Sequence, residues 1–214
     1  MGSEVSVGTK GFFVTCVRGK EQQCCGEVVG MLRGAEEGAV GSTGVFMDDL
    51  EKELESKKKK SLFSAKGTGT PCLVFVSLPD EKTPTLVMKE ILRRIKEGEH
   101  FELRFTQRLY PADYSCSAVK ESLLQLIRGA VVPNLPSDKK TYSVQCQLWS
   151  CGVMEKDELK RAVAAEVGER YKVDLKAPDF VILVVGLKSY CGVSVLGEWC
   201  ETKGYNLGAF INGK

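Results

Sequence analysis

The run P-C-L-V-F-V-S-L-P, residues 71–79, is short and almost continuously apolar, as expected for a strand that is buried on both faces. A helix is predicted after it, because Thr83 can cap free backbone amides and Pro84 suits the first helical position. One face of that helix is apolar and consists of Leu86, Val87, Ile91, Leu92 and Ile95. A strand followed by a helix is the basic step of a mixed α/β fold.

Further strands are predicted on both sides of this pair. Residues 11–18, G-F-F-V-T-C-V-R, are rich in β-branched and aromatic side chains, and a helix with apolar spacing follows over 20–33. Residues 101–110, F-E-L-R-F-T-Q-R-L-Y, alternate and predict a half-exposed strand that carries Arg104 and Arg108 outward. With one weak strand before residue 71, the order becomes β-α-β-β-α-β, which is typical of a ferredoxin-like unit.

The stretch 36–70 differs in character from its surroundings. It contains scattered glycines, an acidic run and four consecutive lysines from Lys57 to Lys60. This composition predicts a mobile insertion, with a short helix at 45–54 and a short edge strand at 61–65.

The second half predicts another alternation of strands and helices. Ser117 can cap a helix that ends before Pro133, and a strand at 142–149 and a helix near 155–170 follow. The apolar run at 179–187 predicts a central strand, with residues 190–196 as its hairpin partner. The boundary between the two units is expected near 107–116.

Composition limits the kinds of chemistry that the chain can perform. Its 214 residues suit two small domains, the net charge is +2, and there are nine cysteines but one histidine. No apolar run approaches the roughly 18–20 residues of a membrane span, and the N-terminus lacks a signal-peptide core. The cysteine number is odd and no C-x-x-C occurs, so we expect reduced thiols in an intracellular compartment, with a zinc site as the alternative.

Catalytic and cofactor motifs are not found. The glycines of G-T-G-T-P-C at 67–72 precede a predicted strand, whereas a dinucleotide loop follows one, and no P-loop occurs. His100 is the sole candidate base and is expected to be solvated or to cap a loop. Because neighbouring side chains point apart, the adjacent carboxylates Asp48/Asp49 and Asp157/Glu158 are expected on solvated faces. We therefore predict no catalytic residue, no metal and no cofactor.

Basic and aromatic residues flank the predicted boundary. They indicate RNA binding, while scattered surface cations and a protein-binding edge remain alternatives. For Trp149, packing in the core is an alternative to stacking on a base. The candidate RNA-binding residues are Arg104, Arg108, Tyr110, Lys139, Lys140, Trp149 and Lys188.

One stretch carries a family resemblance. Residues 105–118, F-T-Q-R-L-Y-P-A-D-Y-S-C-S-A, resemble the start of a THUMP domain in the eukaryotic tRNA acetylation adaptor family. The likeness continues through K-V-D-L-K-A-P-D-F-V-I-L-V-V at 172–185, S-Y-C-G-V-S-V-L at 189–196 and K-G-Y-N-L at 203–207. Upstream, G-F-F-V-T-C at 11–16 is similar to the first strand of that family.

The resemblance implies a ferredoxin-like domain over 1–107, with a flexible insertion at about 36–70, and an α/β THUMP domain over 108–214. It also implies a non-catalytic adaptor that holds the acceptor end and stem of leucine and serine tRNAs. A separate RNA cytidine acetyltransferase, which uses acetyl-CoA and ATP, would then form N4-acetylcytidine in the D-arm. The expected protein is a monomer in the nucleus or nucleolus, and in the cytoplasm as well, and its length leaves no room for an added catalytic domain.

Only some site residues carry over from the family. Arg108, Tyr110 and Pro111 match its opening motif, and Lys139 and Lys140 occupy a loop where basic residues are usual. After the strand at 142–148 the family has a basic turn, whereas Gln147, Leu148 and Trp149 stand here. Two other functions stay open: a tRNA-modifying enzyme that uses a cysteine thiol, and a protein scaffold without RNA affinity.

Overall fold

Two sheets with their helices form the chain, as seen in a computed structural model that describes residues 5–37, 63–152 and 155–211. The first unit contains β1 (Gly11–Cys16), α1 (Glu21–Glu37), β2 (Ser64–Gly67), β3 (Leu73–Ser77), α2 (Pro84–Lys96) and β4 (Thr106–Ala112). The second unit begins with β5 (Tyr114–Ser117), α3 (Lys120–Leu126), β6 (Thr141–Trp149) and α4 (Lys156–Val167). It ends with β7 (Lys172–Val173), β8 (Phe180–Leu187), β9 (Tyr190–Leu196) and α5 (Leu207–Ile211).

The first unit has the ferredoxin-like topology that the sequence predicts. Its four strands are ordered β2-β3-β1-β4, and every neighbouring pair is antiparallel. Helices α1 and α2 pack on each other and on this sheet. The predicted edge strand at 61–65 is present as β2 at 64–67, and the predicted helix at 45–54 lies outside the described residues.

The second unit is a mixed five-stranded sheet with the order β5-β9-β8-β6-β7. Strands β6, β7 and β8 are parallel, and β9 pairs antiparallel with both β8 and β5. Residues 179–187 and 190–196 form the predicted antiparallel pair, with a turn at Lys188 and Ser189. The mixed α/β class is thus confirmed for both units.

Strand β8 is buried on both faces because it separates two cores. Val181, Leu183 and Val185 pack with the core of the first unit. On the opposite face, Ile182 and Val184 pack with α3 and α4. Such double burial explains the continuous apolar run at 180–187, since neither face meets water.

The predicted strand over 101–110 is wrong in its first half. Strand β4 begins at Thr106, and the carboxylate of Glu27 on α1 explains the late start. It accepts backbone N–H groups from Arg104, Phe105 and Thr106, at 2.9 to 3.1 Å, together with the Thr106 hydroxyl. These amides turn toward a side chain, so the segment before Thr106 cannot present them to a neighbouring strand.

One predicted helix cap is wrong, and the other is correct in its position but makes no bond with its side chain. Ser117 is the last residue of β5, and its hydroxyl bonds to that of Ser122, while α3 begins after Val119. Thr83 stands at the start of α2 but makes no capping bond with its side chain. Instead, the amide of Thr85 donates to the carboxylate of Asp113 at 2.8 Å. A cap from a distant part of the chain leaves no local pattern in the sequence.

The C-terminal segment returns from the second unit to the first. The Leu109 amide donates to the Tyr205 carbonyl, Arg108 forms a β-bridge with Asn206, and α5 packs on β4. The chain passes from the first sheet to the second at Asp113, so the predicted division between residues 107 and 108 falls inside β4. Both units therefore contribute to the surface beside β4.

Candidate nucleic-acid interface

An open cleft of 480 Å³ lies where the two units meet, and we call it the junction cleft. Side chains from β4 and β6 and from residues between 175 and 204 line it. Because β4 belongs to the first sheet and β6 to the second, neither unit alone contains the complete cleft.

The floor of the junction cleft is the polar face of β6. Ser143, Gln145 and Gln147 line the cleft, whereas the alternate residues Tyr142 and Cys146 are buried in the core of the second unit. Side chains of a strand alternate between the two sheet faces, so one strand supplies both environments. The floor therefore presents one hydroxyl and two carboxamides in a row.

Ser143 has an unusual environment for a hydroxyl group. Its residue is 1% exposed, and its Oγ has no hydrogen-bond partner among the described residues. Most buried polar side-chain atoms in folded proteins are hydrogen bonded, and an unpaired one typically costs about 1–3 kcal/mol. Ser143 therefore contributes a buried hydroxyl without a hydrogen-bond partner among the described residues, beneath the floor of the cleft.

One wall of the junction cleft is a strained segment at residues 198–205. Glu198, Lys203 and Tyr205 all have positive φ angles, between 50° and 58°, a conformation uncommon for residues other than glycine. Hydrogen bonds hold this shape: the Thr202 hydroxyl donates to the Glu198 carbonyl at 2.8 Å. The segment places Trp199 and Lys203 in the lining.

Cationic and apolar groups complete the lining. Arg108 enters from β4, and no ion pair joins it to an acidic side chain in the described part of the chain. Leu175 and Pro178 supply apolar surface, and Leu175 is 76% exposed. Positive charge, hydrogen-bonding groups and apolar surface together suit a ligand that has both anionic and flat apolar parts.

Comparison with known proteins identifies the second unit. Residues 118–196, from just after β5 to the end of β9, match the THUMP domain family. The chain contains a THUMP domain.

Three relatives match most of the chain at low identity. An uncharacterized protein of Schizosaccharomyces pombe is 26% identical, over 92% of this chain and 74% of its own length. The tRNA acetyltransferase TAN1 of Saccharomyces cerevisiae is 25% identical, over 92% of this chain and 82% of its own. THUMP domain-containing protein 1 of Mus musculus is 22% identical, over 95% of this chain and 65% of its own. These matches extend beyond the THUMP domain into the first unit.

Two aromatic residues that the sequence predicts to contact RNA, Tyr110 and Trp149, are packed against other side chains of the protein. Tyr110 is 4% exposed at the inner end of the junction cleft. Trp149, at the end of a THUMP-domain strand, stacks on Phe13 with ring centroids 5.9 Å apart and lies 6.0 Å from Tyr110. The arrangement agrees with the alternative in which Trp149 is a packing residue. Arg108 is the predicted RNA-binding residue whose side chain enters the cleft directly.

The other predicted cations do not form one cluster. Lys139 and Lys140 are exposed just before β6, while Lys188 follows β8 and donates to the Thr68 carbonyl at 3.3 Å. Lys188 therefore lies near the C-terminal end of β6, because its neighbour Leu187 pairs with Trp149. The two lysines before Thr141 lie near the other end of the same strand, and the two ends are roughly 26 Å apart at the usual rise per residue. Arg104 is exposed on the loop before β4. A long RNA could touch all four, but a small ligand could not.

Most of the residues that line the cleft are not among those predicted from the sequence. The alternation of Ser143, Gln145 and Gln147 with apolar residues was visible and indicates a strand with one polar face. The sequence contains no comparable pattern at Leu175, Trp199 or Lys203. These residues are distant from β6 in the sequence, and only the folded chain brings them beside it.

Four of the nine thiols are poor candidates for nucleophilic catalysis. Burial raises the pKa of Cys16 to about 12 and the pKa values of Cys24, Cys116 and Cys146 to about 11. A thiol with such a pKa is almost fully protonated at neutral pH and is a weak nucleophile. Within the described ranges, no group of three His, Cys, Asp or Glu residues could hold a metal ion. No helix there is long and apolar enough to cross a membrane.

Proposed function

We propose that this chain binds tRNA and presents it to a separate RNA cytidine acetyltransferase. The observation that carries the proposal is the junction cleft, where Arg108 and hydrogen-bonding side chains meet beside a THUMP domain. A relative that matches 92% of the chain is named a tRNA acetyltransferase. Positive charge beside unpaired polar groups suits the phosphates and bases of RNA.

The proposed reaction product is N4-acetylcytidine in the D-arm of leucine and serine tRNAs. In this scheme the partner enzyme supplies the acetyl-transfer chemistry, and this chain supplies tRNA affinity and orientation. Its contribution to the rate is positional, since holding two reactants together makes their reaction effectively unimolecular. The proposed location is the nucleus or nucleolus, with a cytoplasmic population, and the proposed state is a monomer.

A non-catalytic role is favoured over thiol chemistry by the state of the cysteines. Efficient thiol catalysis needs a lowered pKa and a neighbouring base. Here burial raises the pKa of four cysteines, and His100 is exposed on the loop before β4. The other alternative, a scaffold without RNA affinity, predicts that the chain does not bind tRNA.

A salt titration of tRNA binding separates these functions. We expect the logarithm of the binding constant to fall linearly with the logarithm of the salt concentration, because phosphate contacts release counterions. Arg108→Ala should weaken tRNA binding and lower the slope by about 1. Arg128→Ala is the matched control, because Arg128 pairs with Glu166 on the opposite, helical side of the THUMP domain. No measurable tRNA affinity would favour the scaffold and contradict the proposal.

A further inference from the structure

We propose that Thr15 and Glu27 are positioning residues for Arg108, because they hold a β-bulge in β4 that directs the Arg108 side chain into the junction cleft. This inference rests on the proposed function. It assigns an effect on tRNA affinity to two residues, neither of which carries a positive charge or belongs to the described lining of the cleft.

The bulge is visible in the register between β1 and β4. Up to Thr15 the partners on β4 follow one another without a gap, and Thr15 itself pairs with Arg108. The next residue of β1, Cys16, pairs with Thr106, so Gln107 is an extra residue in β4. Bulges of this kind bend a strand and re-aim its side chains, and they are frequent beside functional sites.

The bulge changes which face of the sheet the side chains of β4 reach. Arg108 and Tyr110 line the junction cleft, as expected for alternate residues of one strand. Continued alternation would place Thr106 on the cleft side as well. Its hydroxyl instead donates to the carboxylate of Glu27 at 2.8 Å and lies 3.3 Å from the Sγ of Cys24, and both of these residues belong to α1. The strand therefore faces α1 before the bulge and the cleft after it.

Two side chains hold this change of face. On one side of the bulge, the Glu27 carboxylate accepts the Phe105 amide at 3.0 Å and the Thr106 amide at 2.9 Å. On the other side, the Thr15 hydroxyl accepts the backbone amide of Arg108 at 3.1 Å. Hydrogen bonds to a charged carboxylate are stronger than those between neutral groups, so Glu27 is the firmer of the two anchors.

The direction of Arg108 matters because a guanidinium binds phosphate through donors in a fixed planar arrangement. No acidic side chain among the described residues holds this guanidinium in an ion pair, so its direction depends on the backbone that carries it. A binding group that is misplaced by about 1 Å loses much of its contribution. Loss of either anchor should therefore weaken the contact between Arg108 and a tRNA phosphate.

Fluorescence anisotropy with labelled tRNA, repeated across a salt titration, tests this inference. Thr15→Val and Glu27→Gln should each lower tRNA affinity about three- to tenfold, as is usual for residues coupled in one network, and by no more than Arg108→Ala does. Both should also lower the salt slope toward that of Arg108→Ala, although neither substitution removes a cation. Thr15→Ser keeps the hydroxyl and should bind tRNA like the wild type.

Glu166→Gln is the matched control for charge. Like Glu27→Gln it removes one carboxylate, and Glu166 pairs with Arg128 on the opposite, helical side of the THUMP domain. Long-range electrostatics alone would make both variants bind tRNA more tightly, because each becomes more positive. Positioning instead predicts weaker binding for Glu27→Gln and not for Glu166→Gln.

A double-mutant cycle separates positioning from stability. When Arg108 is already alanine, Thr15→Val and Glu27→Gln should cause no further loss of affinity, because their effect passes through Arg108. Thermal unfolding of each variant sets a temperature at which all of them are folded, and the anisotropy is measured there. If Glu27→Gln does not fold, Thr15→Val carries the test, since it only replaces a hydroxyl with a methyl group.

Hydrogen exchange observed by NMR monitors the bulge itself. Glu27→Gln should speed exchange at the Thr106 amide, and Thr15→Val should speed it at the Arg108 amide, because each amide loses its acceptor. Unchanged exchange at both amides would show that these side chains do not hold the bulge, and would overturn the inference.

The binding results separate the inference from the proposed function. If Arg108→Ala weakens tRNA binding while Thr15→Val and Glu27→Gln bind like the wild type, the positioning role is refuted and the proposed function stands. Further loss of affinity in the Arg108→Ala background would also refute it, because the two residues would then act by another route. If no tRNA binds the wild-type chain, the proposed function fails and the inference fails with it.

Discussion

Asp113 accepts hydrogen bonds from both the backbone amide and the hydroxyl of Thr85, and so fixes the start of α2 at the point where the chain changes sheets. Its own amide lies 2.9 Å from the hydroxyl of Ser194 on β9. One residue thus connects a helix of the first unit with a strand of the THUMP domain. This connection holds in place the two units that form the junction cleft.

Asp113 should make stability depend on pH. Burial raises the pKa of its carboxyl above the ordinary value of 3.8, although hydrogen bonds from Thr85 and Ser194 oppose the rise. A raised native pKa means that the native state holds the proton more tightly, so stability falls as pH rises through that pKa. Urea unfolding between about pH 4 and about pH 7 should show a smaller fall for Asp113→Asn than for the wild type. Equal falls in the two proteins would contradict the assignment.

Gly192 permits close contact between the two units. A Cβ at this position would lie 2.6 Å from the Cβ of Ala112 and 2.9 Å from Cγ2 of Val185. Gly192→Ala should lower the free energy of unfolding by about 1–3 kcal/mol, because packed strands must separate to admit the methyl group. Gly30→Ala is the control: its Cβ would meet open space on α1, and it should raise stability by about 0.5–1 kcal/mol. Urea denaturation measures both, and a neutral Gly192→Ala would disprove the tight contact.

Trp149 should matter for stability and not for RNA affinity. Its ring stacks on Phe13 across the junction of the two units. We expect Trp149→Phe to lower the free energy of unfolding by about 1–2 kcal/mol, since the smaller ring leaves part of the packed volume empty. Its affinity for tRNA should equal that of the wild type in the same anisotropy assay. A large loss of affinity without loss of stability would restore the predicted stacking role.

The cysteines should differ sharply in their reactivity. Cys200 is exposed, whereas Cys16, Cys24, Cys146 and Cys191 are buried. Burial raises the pKa of Cys16 to about 12 and those of Cys24 and Cys146 to about 11, so few thiolates form below pH 9. Mass spectrometry after brief alkylation at about pH 8 should find Cys200 modified and the four buried cysteines intact. Rapid native labelling of any of those four would revive the thiol-enzyme alternative.

The sequence predicts those parts of the structure that depend on neighbouring residues, and it fails where residues distant in the sequence interact. The apolar runs at 71–79 and 179–187 predict their strands correctly, because burial on both faces leaves a local pattern. The N-cap position of α2 is predicted correctly at Thr83, but the start of β4 and the bond that Asp113 makes to the first turn of α2 are not, because Glu27 and Asp113 act across long sequence separations. The same reason applies to the junction cleft. The polar face of β6 is visible as an alternation in the sequence, whereas Trp199 is distant in the sequence and lies beside β6 only in the folded chain.

Reconstitution of tRNA acetylation from purified components shows whether this chain presents tRNA to a separate enzyme. Purified RNA cytidine acetyltransferase, acetyl-CoA, ATP and leucine or serine tRNA are combined with and without this chain, and N4-acetylcytidine is measured by mass spectrometry. We expect the D-arm product to form when both proteins are present, and we expect Arg108→Ala to reduce it while Arg128→Ala does not. Equal product from the acetyltransferase alone, or product from this chain alone, would contradict the account.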